Sequence, residues 1–214
     1  MKILLYGGTF DPPHYGHMHN IETVAALAAP DLVIVMPAGV PPHKAASATP
    51  AALRLEMCGC FAALAGTPSI PRLEISDWEI RQAAQGAVNY TVRTLEMLAA
   101  RWPGAQLFLA MGSDMLLSFE QWHEWQRILQ LAALVVESRE NGDRQALEQA
   151  AARFRAAGGR VLLAQRPALP MASHLLRARM AAGDPCEEAL PPLVRAVIRR
   201  EGLYGCSRDP QPDT

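Results

Sequence analysis

The sequence predicts an α/β fold built on a doubly wound parallel sheet. Three observations carry that expectation: apolar runs of strand length recur six times, helical patterns separate most of them, and nothing along the chain reads as a domain linker. The runs fall at residues 2–6, 32–36, 69–75, 107–111, 134–136 and 161–164, and the helical patterns at 16–29, 50–65, 90–101, 115–131 and 144–157. Such alternation buries a parallel sheet between two helix layers joined by right-handed crossovers. A sheet of this kind binds ligands at the C-terminal ends of its strands, where the strand order reverses.

Each element has a local reason. Residues 2–6 have the length and the β-branched and aromatic content of a buried strand, and the apolar pattern from Ile21 onward is helical. Thr49 offers an N-cap hydroxyl to the second helical pattern, with Pro50 at its first helical position. Gly158 and Gly159 close the helix that precedes the last strand. Residues 207–214 are polar and proline-rich and read as a loose tail, which leaves 1–206 as one domain.

Composition narrows the function class. With 214 residues the chain can bury a full core, and its formal charge of −1 argues against nucleic acid as a partner, because such domains carry a strongly basic face. No run of eighteen apolar residues and no signal sequence is present, so the expected location is the cytoplasm and no membrane is implied. The four cysteines, Cys58, Cys60, Cys186 and Cys206, fit neither a metal knuckle nor a disulfide framework and read as reduced thiols. Lysine occurs only at Lys2 and Lys44. In so arginine-rich a chain, a loop lysine suggests a task better suited to a compact ammonium.

The most informative stretch is residues 7–17, Gly-Gly-Thr-Phe-Asp-Pro-Pro-His-Tyr-Gly-His, at a strand-to-helix turn. Backbone amides at such a turn, with a helix N-terminus beyond, make an anion site. Gly7 and Gly8 allow close approach of a nucleotide, Pro12 and Pro13 stiffen the loop, and His14 and His17 supply donors from one side. Two imidazoles aimed at one phosphate suit a transition state in which charge grows on its oxygens.

The pattern Gly-x-Phe-x-Pro-x-His-x-Gly-His, carried by Gly8, Phe10, Pro12, His14, Gly16 and His17, resembles the nucleotidyltransferase superfamily of adenylyl- and cytidylyltransferases. The segment Pro41-Pro42-His43-Lys44 resembles the bacterial nicotinate-nucleotide adenylyltransferases within it. Asn89-Tyr90-Thr91 opens a helix in a segment like that family's Ser-Tyr-Thr-x-Asp-Thr-Leu, with Arg93 where the family has aspartate. Met111-Gly112-Ser113-Asp114 and Trp122 resemble its Gly-Ala-Asp segment and later tryptophan. The second superfamily motif survives at Ser173 and Arg177, with Ala172 and His174 as departures, and residues 190–204 match closely.

The resemblance implies a single Rossmann-like domain with a helical C-terminal segment and adenylyl transfer from ATP to nicotinate mononucleotide. It implies catalytic roles for His14, His17, Lys44 and Arg177. ATP contacts are expected from Gly7, Gly8, Thr9, Phe10, His14, His17, Lys44, Gly112, Asp114, Ser173 and Arg177. Nicotinate-nucleotide contacts are expected from Lys44, Tyr90, Thr91, Asp114 and Trp122. Mg²⁺ is expected to arrive with ATP, keeping waters and substrate phosphates as ligands, and no protein ligand is assigned to it. Two alternatives stay open: an adenylyltransferase for nicotinamide mononucleotide or another superfamily substrate, and a nucleotide-binding homologue without turnover. Trp122 and Trp125 taken alone read as core aromatics at helical spacing. Self-association into a homo-oligomer is also left open.

Overall fold

A computed structural model describes residues 1–40, 47–137, 144–166 and 168–208. The chain runs β1 (Lys2–Gly8), α1 (Tyr15–Ala28), β2 (Leu32–Pro37), α2 (Ala51–Cys58), β3 (Leu73–Ile75), α3 (Trp78–Ala84), α4 (Thr91–Arg101), β4 (Gln106–Gly112) and α5 (Ser113–Leu117). It continues through α6 (Trp125–Leu131), β5 (Ala132–Glu137), α7 (Arg144–Ala156), β6 (Val161–Leu163), α8 (Ser173–Ala181) and α9 (Pro192–Glu201). The strands form one sheet in the order β3-β2-β1-β4-β5-β6, each neighbouring pair parallel. The doubly wound, Rossmann-like expectation holds. Chain order runs outward from β1 to β3, then reverses at β4 on the other side of β1, so the switch point lies between the ends of β1 and β4.

Alternation along the strands explains the two helix layers. Leu4 and Tyr6 face one cluster with Ile21 and Val24 of α1 and Val194 and Val197 of α9, while Ile3 and Leu5 face a second cluster with Leu95 of α4 and Phe154 of α7. A sheet covered on both faces has near-continuous apolar strands, which is why β2 and β5 are buried along their whole length. No helix among the described residues is long and apolar enough to cross a membrane. The four cysteines are free thiols, and burial pushes that of Cys60 up to about 12.

Four boundaries differ from the sequence reading. The run at 69–75 keeps only Leu73–Ile75 as strand, because Gly66 at φ 83° and the Thr67–Ile70 bridge fold its approach into a turn. The second helix caps on Pro50, and the Thr49 hydroxyl turns instead to Tyr204 Oη at 3.3 Å. After Cys58 it tightens into a 3-10 helix, Gly59–Leu64. The pattern at 115–131 is broken: α5 ends at Leu117, a 3-10 turn spans Phe119–Gln121, Trp122 is extended, and Glu124 takes φ 53° before α6. The break lets Phe119 and Trp125 both reach Phe154, with ring centroids 5.3 and 5.9 Å away. Helix α3 has no counterpart in the sequence reading.

Candidate active site

The turn from β1 to α1 projects from the switch point, and its shape is set by its own side chains. His14 is the N-cap of α1 in extended conformation, and the two histidines cap reciprocally. The His17 amide donates to His14 Nδ1 and the His14 amide to His17 Nδ1, both at 3.3 Å. The rings stack with centroids 3.7 Å apart. With each Nδ1 accepting from backbone, the proton of a neutral ring sits on Nε2. The cap thus orients both imidazoles and chooses their tautomer before any ligand arrives.

Phe10 lies beneath this pair, buried against Tyr6, His17 and Phe61 at a φ of 50°. Gly8 is required by that packing, since a Cβ there would stand 2.8 Å from the Phe10 ring. At Gly7 a Cβ would meet little, its nearest atom lying 3.9 Å away. Gly7 is exposed, on the open side of the turn.

Helix α8 delivers the survivors of the second motif to the same loop. Ser173 Oγ donates to the Pro12 carbonyl at 3.0 Å, and Arg177 Nη1 donates to the Asp11 carbonyl at 2.6 Å. The guanidinium also stands 3.8 Å from the Asp11 carboxylate. Ala172 is the N-cap of α8 without a side-chain cap bond, and His174 is exposed on its first turn.

Two residues of this region escaped the sequence reading. Arg54 of α2 is only 3% exposed, and its Nη1 donates to the Thr9 carbonyl at 2.7 Å. Its burial lowers its proton affinity, opposed by the charge of Asp11. Asp11 is itself 7% exposed. Burial alone raises its carboxyl, but hydroxyls of Thr49, Tyr204 and Ser47 and the Arg177 charge hold it below the usual carboxylate range. An Asp within the motif and an Arg on an otherwise apolar helix face are the signals that point to this pair.

Across the switch point, Gly112 ends β4 as the N-cap of α5, with Ser113 buried and Asp114 exposed in the first turn. Tyr90 caps α4 and Thr91 is its first residue, so the hydroxyl of Thr91 is not the N-cap. Asn89 ties this helix start to the chain after β2, accepting from the Val40 amide at 2.7 Å. A 260 Å³ cavity lined by Trp78, Gln82, Val88, Asn89 and Arg93 lies beside it. Trp122 is half-buried on Phe119, with ring centroids 5.5 Å apart, and sits outside any helix. Tyr90 packs on His123 at 4.3 Å. Arg93 is committed to Glu96 and Glu124 at 2.8 and 3.4 Å. His43 and Lys44 lie outside the described residues.

A model of the cytidylyltransferase-like family matches residues 5–179. The nicotinate-nucleotide adenylyltransferases of Salmonella typhimurium and Salmonella typhi are each 34% identical over 214 residues, covering 94% of this chain and 97% of theirs. Among solved structures, the Plasmodium falciparum nicotinic acid mononucleotide adenylyltransferase complexed with NaAD superposes with a TM-score of 0.75. It is 18% identical and covers 96% of this chain and 98% of its own.

Proposed function

Because the chain belongs to the cytidylyltransferase-like family, and within it to the nicotinate-nucleotide adenylyltransferases, we propose that it transfers the adenylyl group of ATP to nicotinate mononucleotide. The products are nicotinic acid adenine dinucleotide, a precursor in NAD biosynthesis, and pyrophosphate. The observation that carries this reading is the stacked and mutually capped His14–His17 pair at the switch point, beside Arg177.

A phosphate oxygen of nicotinate mononucleotide attacks the α-phosphorus of ATP in line. The new P–O bond forms as the bond to the β-phosphate bridging oxygen breaks, and pyrophosphate leaves with that electron pair. The attacking oxygen is already anionic, so the protein contributes position and charge stabilisation rather than a nucleophile. In this reading His14 and His17 direct Nε2–H donors at the α-phosphate, where charge grows in the transition state. Gly7, Gly8 and Thr9 lead from the end of β1 into the turn, with Phe10 as its buried support. Arg177 and Lys44 hold the leaving phosphates, and Ser173 fixes the loop through Pro12.

On the pyridine side, Tyr90 and Thr91 present the start of α4 to the carboxylate, and Trp122 offers a stacking surface. Gly112 and Asp114 stand at the end of β4, where a ribose hydroxyl finds an acceptor. Mg²⁺ fits here as the counter-ion of ATP: the turn offers imidazoles and a guanidinium that suit phosphate oxygens, and its carboxylate, Asp11, is taken up by the Tyr204 and Ser47 hydroxyls. When bound, it neutralises charge on the leaving pyrophosphate. A cytoplasmic location accords with this substrate pair.

Pyrophosphate release from ATP, measured against nicotinate mononucleotide, nicotinamide mononucleotide and phosphopantetheine, tests the reading. Preference for the acid mononucleotide is expected. Preference for the amide or for phosphopantetheine would reassign the substrate, and ATP binding without turnover would make the chain a nucleotide-binding homologue.

A further inference from the structure

Three segments distant from it in sequence meet at the Asp11 carboxylate. Its Oδ1 accepts from Tyr204 Oη at 2.6 Å and its Oδ2 from Ser47 Oγ at 2.7 Å. Arg177 Nη1 lies 3.8 Å from Oδ2 and bonds the same residue's carbonyl at 2.6 Å. Arg54, bonded to the Thr9 carbonyl at 2.7 Å, is a buried cation that feels the Asp11 charge. We propose that Asp11 is a positioning residue for ATP and Tyr204 its anchor, so that the 203–205 turn at the far end of the chain sets the geometry of the phosphate loop. The inference rests on the adenylyltransferase reading above.

The geometry favours this over simple packing. A carboxylate taken out of water must be compensated by donors and charge, and here two hydroxyls bond it while the guanidinium assigned to the leaving phosphates stands 3.8 Å away. Nη1 of Arg177 is committed to the Asp11 carbonyl with the carboxylate 3.8 Å away, and the two together aim the remaining N–H groups of a planar, rigid fork. The chain also accepts strain to make the contact. Tyr204 sits at φ 58° and Phe10, next to Asp11, at φ 50°, both in the left-handed region unfavourable to residues with a Cβ. Gly202 and Gly205 at φ 63° and 85° flank the tyrosine and turn the chain back on itself. Loss of the Tyr204 hydroxyl leaves the ring in place and withdraws one of the donors that hold the carboxylate.

The test compares Tyr204→Phe, Asp11→Asn and the double variant with wild type in the full chain, reading ATP Kd by calorimetry, KM for each substrate, and unfolding midpoint. Tyr204→Phe should raise Kd and KM for ATP roughly 3- to 10-fold and Asp11→Asn by roughly 10-fold or more, with KM for nicotinate mononucleotide within about twofold. The double variant should bind ATP no more weakly than Asp11→Asn, because both changes act through one carboxylate. If Asp11→Asn does not fold, Tyr204→Phe alone carries the test. ATP binding within twofold of wild type in Tyr204→Phe overturns the proposal. So does a loss shared equally by both substrates alongside a fallen midpoint, which marks a purely structural contact. Wild-type protein that binds ATP but releases no pyrophosphate sinks the function reading while leaving the Kd comparison intact; wild type that binds no ATP overturns both.

Discussion

The two sides of the switch point are built on different physical plans. On the β1 side, polar groups are fixed by one another: His14 and His17 cap each other's backbone, while Ser173, Arg177 and Arg54 each bond a carbonyl of the 9–12 segment. On the β4 side the chain presents aromatic surface and exposed ion pairs, with Trp122 on Phe119, Tyr90 on His123 and Arg93 between two glutamates. Donors that stabilise a developing charge gain most when they need not reorganise. A flat ring needs only a surface of the right size.

The largest expected effect tests the preorganised side. His17→Ala removes the donor proposed to act on the transition state together with one half of the reciprocal cap, and should lower kcat on the order of 10² or more with little change in KM. Steady-state pyrophosphate release checks this. A near-normal kcat would show that the turn works through its backbone alone.

The contrast also explains what the sequence disclosed. The β1 side was readable because its pattern is local: glycine, proline and histidine within eleven residues point to a strand-to-helix turn and an expected anion site, while the reciprocal histidine cap showed only in the structure. Most strands were readable from their apolar runs, whose ends the register of β1 with β2 and β4 extends by one or two residues, while the run at 69–75 shrank to Leu73–Ile75. Asp11, Arg54 and Tyr204 were not, because their roles exist only once residues up to 193 positions apart meet. On the β4 side, helical spacing over 115–131 suggested one helix, yet the Phe119, Trp125 and Phe154 cluster is made by breaking it at Glu124. Tertiary aromatic packing overrode the local period. Thr49 shows the same in miniature, its hydroxyl drawn from an N-cap to Tyr204.

The next effect concerns a preorganised polar group beside the start of α4. Glu79 of α3 accepts from Thr94 Oγ1 at 2.6 Å, one turn along α4 from Thr91, and desolvation raises its carboxyl from 4.5 to about 7 against that hydrogen bond. The native state therefore keeps a proton that the unfolded chain has already lost. Stability should fall as pH rises from about 4.5 to about 7 and stay level above. Glu79→Gln keeps an acceptor for Thr94 and removes the titration. Its gain over wild type should grow from near zero at pH 4.5 to about 1–3 kcal/mol at pH 8, read by denaturant unfolding. A difference that does not change with pH would mean that Glu79 is not the group being titrated.

Trp122→Ala should raise KM for nicotinate mononucleotide up to roughly 10-fold, as loss of about 0.5–1.5 kcal/mol of stacking predicts, and leave KM for ATP nearly unchanged. Trp122→Phe should recover most of the loss. If the alanine variant instead unfolds at markedly lower denaturant with KM unaltered, the ring belongs to the Phe119 cluster and not to the substrate.

The smallest effect concerns Arg93, which replaces an aspartate of the family pattern beside the expected carboxylate site. Its guanidinium is exposed and already faces Glu96 and Glu124, which raise its affinity for its proton and balance its charge locally. A cation so paired has little attraction left for a substrate carboxylate, and exposed pairs of this kind are screened by water and salt. Arg93→Ala should therefore change KM for nicotinate mononucleotide by less than about twofold, with the same small change for the amide. A rise near tenfold for the acid alone would assign the carboxylate to Arg93, and would move the β4 side from a surface that receives a ring to a site with its own oriented charge.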